Sequence, residues 1–267
     1  LSGHPAAERE TEARRIMLAE AQRPFDLARG PLIRCTLLRL GASEHVLVVV
    51  MHHIVSDGWS LDVFLRELAG LWDMKATGVA PPLSDLPIQY ADYAIWQRQS
   101  LPDRNLTEHV NYWKQALAGA PPSLKLPTDR DGSNEIVPAA ARCSVVLSNE
   151  TAESLRNLNH RCGSTSFMTL LAALMVTLNR WTRQADIVVG TVSAGRTRRE
   201  TEALIGCFMN FLPIRATLRE NDTGLEILAR VKKAVLDAHA HLDCPFEKLV
   251  EAVNPERGSA RNPIYNV

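Results

Sequence analysis

The sequence predicts a mixed α/β fold built in two parts. Apolar residues recur at helical spacing in several stretches, interleaved with short β-branched runs. A stretch rich in Pro, Gly and Asp divides the chain near its middle. With 267 residues, 46% of them hydrophobic, the chain has enough apolar material for one large core or two modest ones.

The first helix is expected from about Ala6 to Arg23, where Pro24 ends it. Leu32 to Leu40 and His45 to His52 are β-rich runs separated by Gly41-Ala42-Ser43, the pattern of two neighbouring antiparallel strands. The second is nearly all Val and Leu, which predicts a central strand covered on both faces. Leu61, Phe64, Leu65, Leu68 and Leu71 then mark a helix from Ser60 to Met74, with Ser60 as its cap. A loop with Pro81, Pro82 and Pro87 precedes an aromatic-rich helix through Tyr90, Tyr93 and Trp96, and a further helix covers Leu106 to Leu117.

Gly119 through Gly132, with three prolines and the cluster Asp129-Arg130-Asp131, is the expected linker. The domain organisation is therefore read as 1–120, a linker at 121–132, and 133–267. Beyond the linker, strands are expected at Ala141–Leu147, Asp186–Val192 and Phe211–Leu218, and helices at Asn149–Arg161, Ser166–Trp181 and Leu225–His241. The last residues, Asn262 to Val267, read as the beginning of a strand, so the chain is expected to be a portion of a larger fold and weakly stable alone, with open strand edges.

Thirty basic residues balance thirty acidic ones. That balance lacks the footprint of a nucleic-acid or anionic-membrane partner. The longest apolar run is too short to cross a bilayer, and the N-terminus lacks a charged segment followed by an apolar one, so a cytoplasmic location is expected. The cysteines at 35, 143, 162, 207 and 244 are odd in number and widely spaced, against both a disulfide framework and a Cys-x-x-Cys clip. They read as small buried hydrophobes, with Cys207 and Cys244 singled out because they lie inside motifs.

The candidate chemistry is concentrated in His52-His53-Ile54-Val55-Ser56-Asp57-Gly58. Two adjacent histidines at a strand's end point to opposite sides of the backbone and should have different jobs. An imidazole can accept a proton from an amine or hydroxyl nucleophile near neutral pH. Gly58 allows a close approach that a Cβ would block. A metal site or a purely structural His pair stays open on these residues alone, although no second His/Cys/Asp cluster has ligand spacing. Ser56 and Ser60 lack a Gly-x-Ser-x-Gly context, so direct acyl transfer without an acyl-enzyme is the local reading.

The segment Met51 to Ser60 resembles the His-His-x-x-x-Asp-Gly core of nonribosomal peptide synthetase condensation domains, of the chloramphenicol acetyltransferase-like superfamily. Four further segments occur in that family's order: Pro24 to Leu27 with Gly30 to Arg34; Tyr90 to Trp96; Gly190 to Arg196 leading to Ile205 to Asn210; and His241 to Val250. The resemblance implies two chloramphenicol acetyltransferase-like lobes in a V, both incomplete here, with a substrate tunnel. It implies amide formation between a donor aminoacyl or peptidyl thioester and an acceptor amine. Both would be carried on phosphopantetheine arms of upstream and downstream peptidyl carrier domains beside an adenylation domain.

By that resemblance His53 is the catalytic histidine, and His52 and Asp57 support the loop. Gly58 lines the tunnel, and Ser56, Trp59 and Asn210 face substrate. Asp57 is expected to pair with an arginine, for which Arg34 and Arg142 are candidates. No intrinsic cofactor and no metal are implied. Trp59 preceding Ser60 favours condensation over an epimerising relative, and the context favours the subtype joining two L-residues. A non-catalytic domain that docks a carrier or tailoring enzyme is the alternative of another class. Met209-Asn210-Phe211 departs from the family's common Val-Asn-Thr, which leaves the substrate class open.

Overall fold

The computed structural model describes every residue except Ser2, His4, 80–82, Ser84, 101–103, Pro122, 128–142 and 254–263. The chain forms two compact units: Leu1–Gln99 with Arg196–Met209, and Ser100–Gly195 with Asn210–Val267. This differs from the division expected at 121–132. Residues 100–120 belong with the second unit because Trp113 and Leu117 are buried in its core, and 196–209 returns to the first. Half of the expected linker, Pro122 and 128–132, lies outside the described residues.

In the first unit, α1 (Ala6–Gln22) stops where Arg23 turns extended ahead of Pro24. Strands β1 (Ile33–Arg39) and β2 (His45–Met51) pair antiparallel, with Leu38 opposite Val46 and Leu37 opposite Leu47. Ala13 and Ile16 of α1 pack on the face carrying Leu38, Leu40, Val46, Val48 and Val50. The opposite face carries Leu37 and Leu47, 66% and 46% exposed. The largely apolar β2 is thus not covered on both faces among the described residues: one helix can shield only one side of a two-stranded ribbon.

Helix α2 (Gly58–Thr77) begins two residues before the expected start and ends at Gly78, whose φ of 74° supplies the left-handed cap. The aromatic helix α3 (Tyr90–Ser100) follows.

The second unit contains α4 (Arg104–Ala116), α5 (Asn149–Cys162), α6 (Ser166–Thr182), β3 (Asp186–Ser193), β4 (Asn210–Thr217), α7 (Gly224–Ala240) and α8 (Phe246–Val253). Ser148 and Thr165 cap α5 and α6, and Thr223 with Glu226 forms a capping box on α7. Strands β3 and β4 pair antiparallel from Asp186 opposite Thr217 to Ser193 opposite Asn210. Met175, Ile187 and Val231 are completely buried in the core shared by this ribbon and its helices.

The C-terminal residues lie against β3, where the Gly190 amide donates to the Val267 carbonyl at 2.8 Å. The ring of Tyr265 occupies the space a Cβ on Gly190 would take, 1.9 Å from it. Two expectations differ. Residues 143–147 carry no sheet pairing among the described residues, 141–142 lying outside them, and α8 is a helix that the periodicity did not separate from its motif. No single helix among the described residues is long and apolar enough to cross a membrane.

Candidate active site

The site is built where β2 ends and α2 begins. After Met51 the chain makes a short 3-10 turn over His53–Val55, closed by the Val55 amide on the His52 carbonyl at 3.1 Å. The two histidines separate at this turn. His52 spends its Nδ1 as acceptor for the Ile54 amide at 3.0 Å and packs edge-on against Phe25. His53 stands exposed, with Nδ1 at 4.0 Å from the Cys207 sulfur. Ser56 is buried and its hydroxyl donates to the His52 carbonyl at 3.4 Å, so it closes the turn rather than offering itself to substrate.

Asp57 is the helix cap, a role expected of Ser60. Its Oδ1 accepts from the Ser60 amide at 2.8 Å, and a carboxylate three residues ahead of that amide makes the shorter reach. Ser60, completely buried, becomes a hub. Its Oγ lies 2.7 Å from Asp57 Oδ1 and 2.8 Å from the Gly206 carbonyl, and it accepts from the Gly206 amide and Arg196 Nη2, each at 3.0 Å.

The arginine partner of Asp57 is Arg196, whose Nη2 donates to Oδ1 at 3.2 Å, with the two side chains 5% and 1% exposed. Neither earlier candidate holds that place. Arg34 binds the Glu20 and Arg23 carbonyls at 3.0 and 2.7 Å and lies over the Phe25 ring. Arg142 is outside the described residues. Sequence distance hides the true pair, which is separated by 139 positions. The available signal was the Gly190 to Arg196 motif, which ends on this guanidinium.

Asp57 Oδ2 accepts from the Phe208 amide at 3.0 Å. Burial pushes the Asp57 carboxyl up, but hydrogen bonds from Phe208, Ser60 and Arg196 outweigh it and hold the carboxyl below the ordinary aspartate value. Arg196 also donates to the Leu204 carbonyl at 2.8 Å and to that of Thr201, and stacks 4.1 Å over Phe208. A buried charge pair of this kind is tolerated because nearly every lone pair and proton finds a partner.

Around this knot Tyr90 and Tyr93 pack on Phe208 at 5.0 and 4.7 Å, and Arg198 lies 4.2 Å over Trp96. Trp59 is 43% exposed with its Nε1 donating to the Glu202 carbonyl at 2.8 Å, so one edge of the indole is anchored and the rest is open. Gly58 is exposed, and a Cβ there would meet nothing within 4 Å. No packing demands glycine at that position.

Asn210, in the second unit, differs from expectation. Its Nδ2 donates to the carbonyls of Leu242 and Cys244 at 2.9 and 2.8 Å, and its Oδ1 accepts from the Phe246 and Phe211 amides at 3.0 and 3.1 Å. That exhausts the amide's two donors and two acceptor sites. Asn210 therefore locks the loop ahead of α8 instead of presenting an amide to substrate. His241, read as structural, stacks on Tyr112 at 3.8 Å and meets His109 through their Nδ1 atoms at 2.8 Å. Burial, then the neighbouring His109, lowers its pKa. Among the described residues no group of three or more His, Cys, Asp or Glu is arranged to hold a metal ion.

A mixed α/β fold carrying an Asp-locked His-His turn defines a class, and comparison identifies it. The sequence matches the family described as Condensation domain over residues 2–267, and the chain belongs to that family. It is 46% identical to a linear gramicidin synthase of Brevibacillus parabrevis over 267 residues, all of this chain and 5% of that protein. It is 40% identical to the phosphinothricin tripeptide synthetase PhsC of Streptomyces viridochromogenes over 263 residues, 98% of this chain and 24% of that protein. Its fold matches the X-domain in the complex of the X-domain and OxyB from teicoplanin biosynthesis, with TM-score 0.87 and 32% identity, covering 96% of this chain and 57% of that one. It also matches the first condensation domain of the calcium-dependent antibiotic synthetase in complex with a substrate analogue. There the TM-score is 0.76 and the identity 25%, covering 97% of this chain and 58% of that one. The chain thus spans a small part of the two synthetases and little over half of the solved chains.

Proposed function

We propose that this chain is part of a condensation domain that forms a peptide bond between two carrier-bound substrates in a cytoplasmic nonribosomal peptide synthetase. Upstream and downstream peptidyl carrier domains would deliver the donor thioester and the acceptor amine on phosphopantetheine arms, with an adenylation domain adjacent. The observation that carries this reading is the division of labour in the turn. His52 and Ser56 are consumed in holding it and Asp57 ties it to Arg196 and Ser60, while His53 is left exposed on a fixed backbone.

In the reaction, the acceptor amine attacks the thioester carbonyl carbon. The C–N bond forms, the C–S bond breaks, and the amine proton passes through His53 to the departing thiolate. Gly58 keeps the approach to the turn open, and the exposed face of Trp59 offers an apolar wall beside it.

The test is a reconstituted assay in the complete synthetase with both carriers loaded. His53→Ala is expected to slow dipeptidyl-thioester formation by at least about a hundredfold. Because His53 is exposed, the same variant should change stability by no more than about 0.5 kcal/mol. Equal rates in the two proteins would refute the catalytic role. A second reading, a docking domain for a tailoring enzyme, is favoured by the fold match to an X-domain solved with OxyB. Absence of product from wild type across many loaded carriers, with retained binding of a partner enzyme, would select it.

A further inference from the structure

We propose that Cys207 is the positioning residue for His53, holding the imidazole with its proton on Nδ1 and its lone pair on Nε2. The catalytic consequence rests on the proposed function; the tautomer does not.

Cys207 Sγ lies 4.0 Å from His53 Nδ1, and among the described residues no other hydrogen-bond partner meets that ring. The backbone carrying this thiol is tied at three consecutive residues. Gly206 is held through both its amide and its carbonyl by Ser60 Oγ, at 3.0 and 2.8 Å. The Cys207 carbonyl accepts from Tyr90 Oη at 2.7 Å, and the Phe208 amide donates to Asp57 Oδ2 at 3.0 Å. On the other side, the 3-10 turn fixes the backbone of His53. The knot that fastens Asp57 therefore also sets the separation of sulfur and imidazole, leaving only side-chain torsions to adjust.

In a neutral imidazole the hydrogen bond made by one nitrogen decides which nitrogen carries the proton. An imidazole N–H is a better donor than a thiol S–H, and a thiol sulfur accepts weakly, so the contact favours Nδ1–H pointing at sulfur. Nε2, at the far edge of an exposed ring, is then the basic atom. That is the form needed to take a proton from an amine. An imidazole without this neighbour, bathed in water, favours the proton on Nε2, which leaves its only lone pair on Nδ1, the nitrogen nearer the backbone. Burial, by contrast, pushes the thiol of Cys244, the other cysteine inside a motif, up to about 11.

The experiment is imidazole nitrogen NMR on the 15N-labelled chain, with His53 resonances identified by their loss in His53→Gln. Wild type is expected to show a protonated Nδ1 and a bare Nε2. Cys207→Ala should move the proton largely to Nε2, and Cys207→Ser, whose hydroxyl is a strong donor to Nδ1, should do the same. A wild-type His53 protonated on Nε2, or a pattern unchanged in Cys207→Ala, overturns the inference. In the loaded-carrier assay, Cys207→Ala should lower kcat about tenfold at unchanged KM. An unchanged kcat in Cys207→Ala overturns the positioning role alone. Wild-type activity in His53→Ala overturns it by removing the proposed function beneath it.

Discussion

In the first unit polar groups are buried at the heart of the site: Ser60 is completely enclosed, and the side chains of Asp57 and Arg196 are 5% and 1% exposed, beside Val63, Leu204 and Phe208. In the second unit the corresponding depth is apolar, with Met175, Ile187 and Val231 sealed between a two-stranded ribbon and its helices. The apolar cluster beneath the first unit's hairpin is small, centred on Ala13, Leu38, Leu40 and Val48. Burial is non-directional and yields stability, whereas hydrogen bonds to charged groups specify direction and yield position. The histidine turn sits in the unit where position is specified most tightly.

This contrast can be broken by removing one element from each unit. Arg196→Ala strands a buried carboxylate and should cost about 3–5 kcal/mol. In amide hydrogen exchange the loss should be concentrated in the peptides spanning His52–Ser60 and Leu204–Phe208. Met175→Ala opens a cavity worth about 2–5 kcal/mol and should loosen α6, β3 and α7 while the His53 turn keeps its protection. If either variant loosens both units alike, the two are not independently supported and the comparison fails.

A finer test uses one glycine from each unit. A Cβ on Gly206 would fall 2.2 Å from the Tyr90 ring, and one on Gly190 would fall 1.9 Å from the ring of Tyr265. Gly206→Ala and Gly190→Ala should each cost about 1–3 kcal/mol by overpacking. Only the first should also reduce amide formation, because it displaces the strand of backbone that holds Asp57 and faces His53. Equal activity in both variants would show that the turn does not depend on that backbone.

The smallest effect expected is the acid response. Asp57's folded carboxyl is held below its ordinary value, so its stabilisation is present above that ordinary value and is lost as pH falls through the lower folded one. Exchange protection in the first unit should therefore weaken on acidification below about pH 4. The site peptides of Asp57→Asn should lack that response. A wild-type site indifferent to acid would mean that the carboxylate contributes little.

Much of this was legible from the residues. Helix spacing placed α2, α4, α5, α6 and α7 within a few positions, because amphipathic periodicity reflects one buried face. The His-His-x-x-x-Asp-Gly pattern located the turn between β2 and α2, and Asp57 was expected to need an arginine. Less was legible wherever a residue's role depends on groups distant in sequence. β2 looked doubly covered, yet its apolar run could not reveal that the described apolar cluster, with α1, lies on one of its faces. Ser60 looked like a cap and became the hub, since Gly206 and Arg196 arrive from 146 and 136 positions away. Asn210 looked like a substrate contact until four internal hydrogen bonds claimed it.

The sequence by itself determined the family, the element order and the position of the histidine turn, because these are written in local spacing and in contiguous motifs. Only the tertiary structure decided which arginine neutralises Asp57, which side chains the turn consumes, and that a cysteine stands beside His53. Those depend on which segments the fold brings within about 3–4 Å of one another, and short-range polar contacts leave no period in the chain.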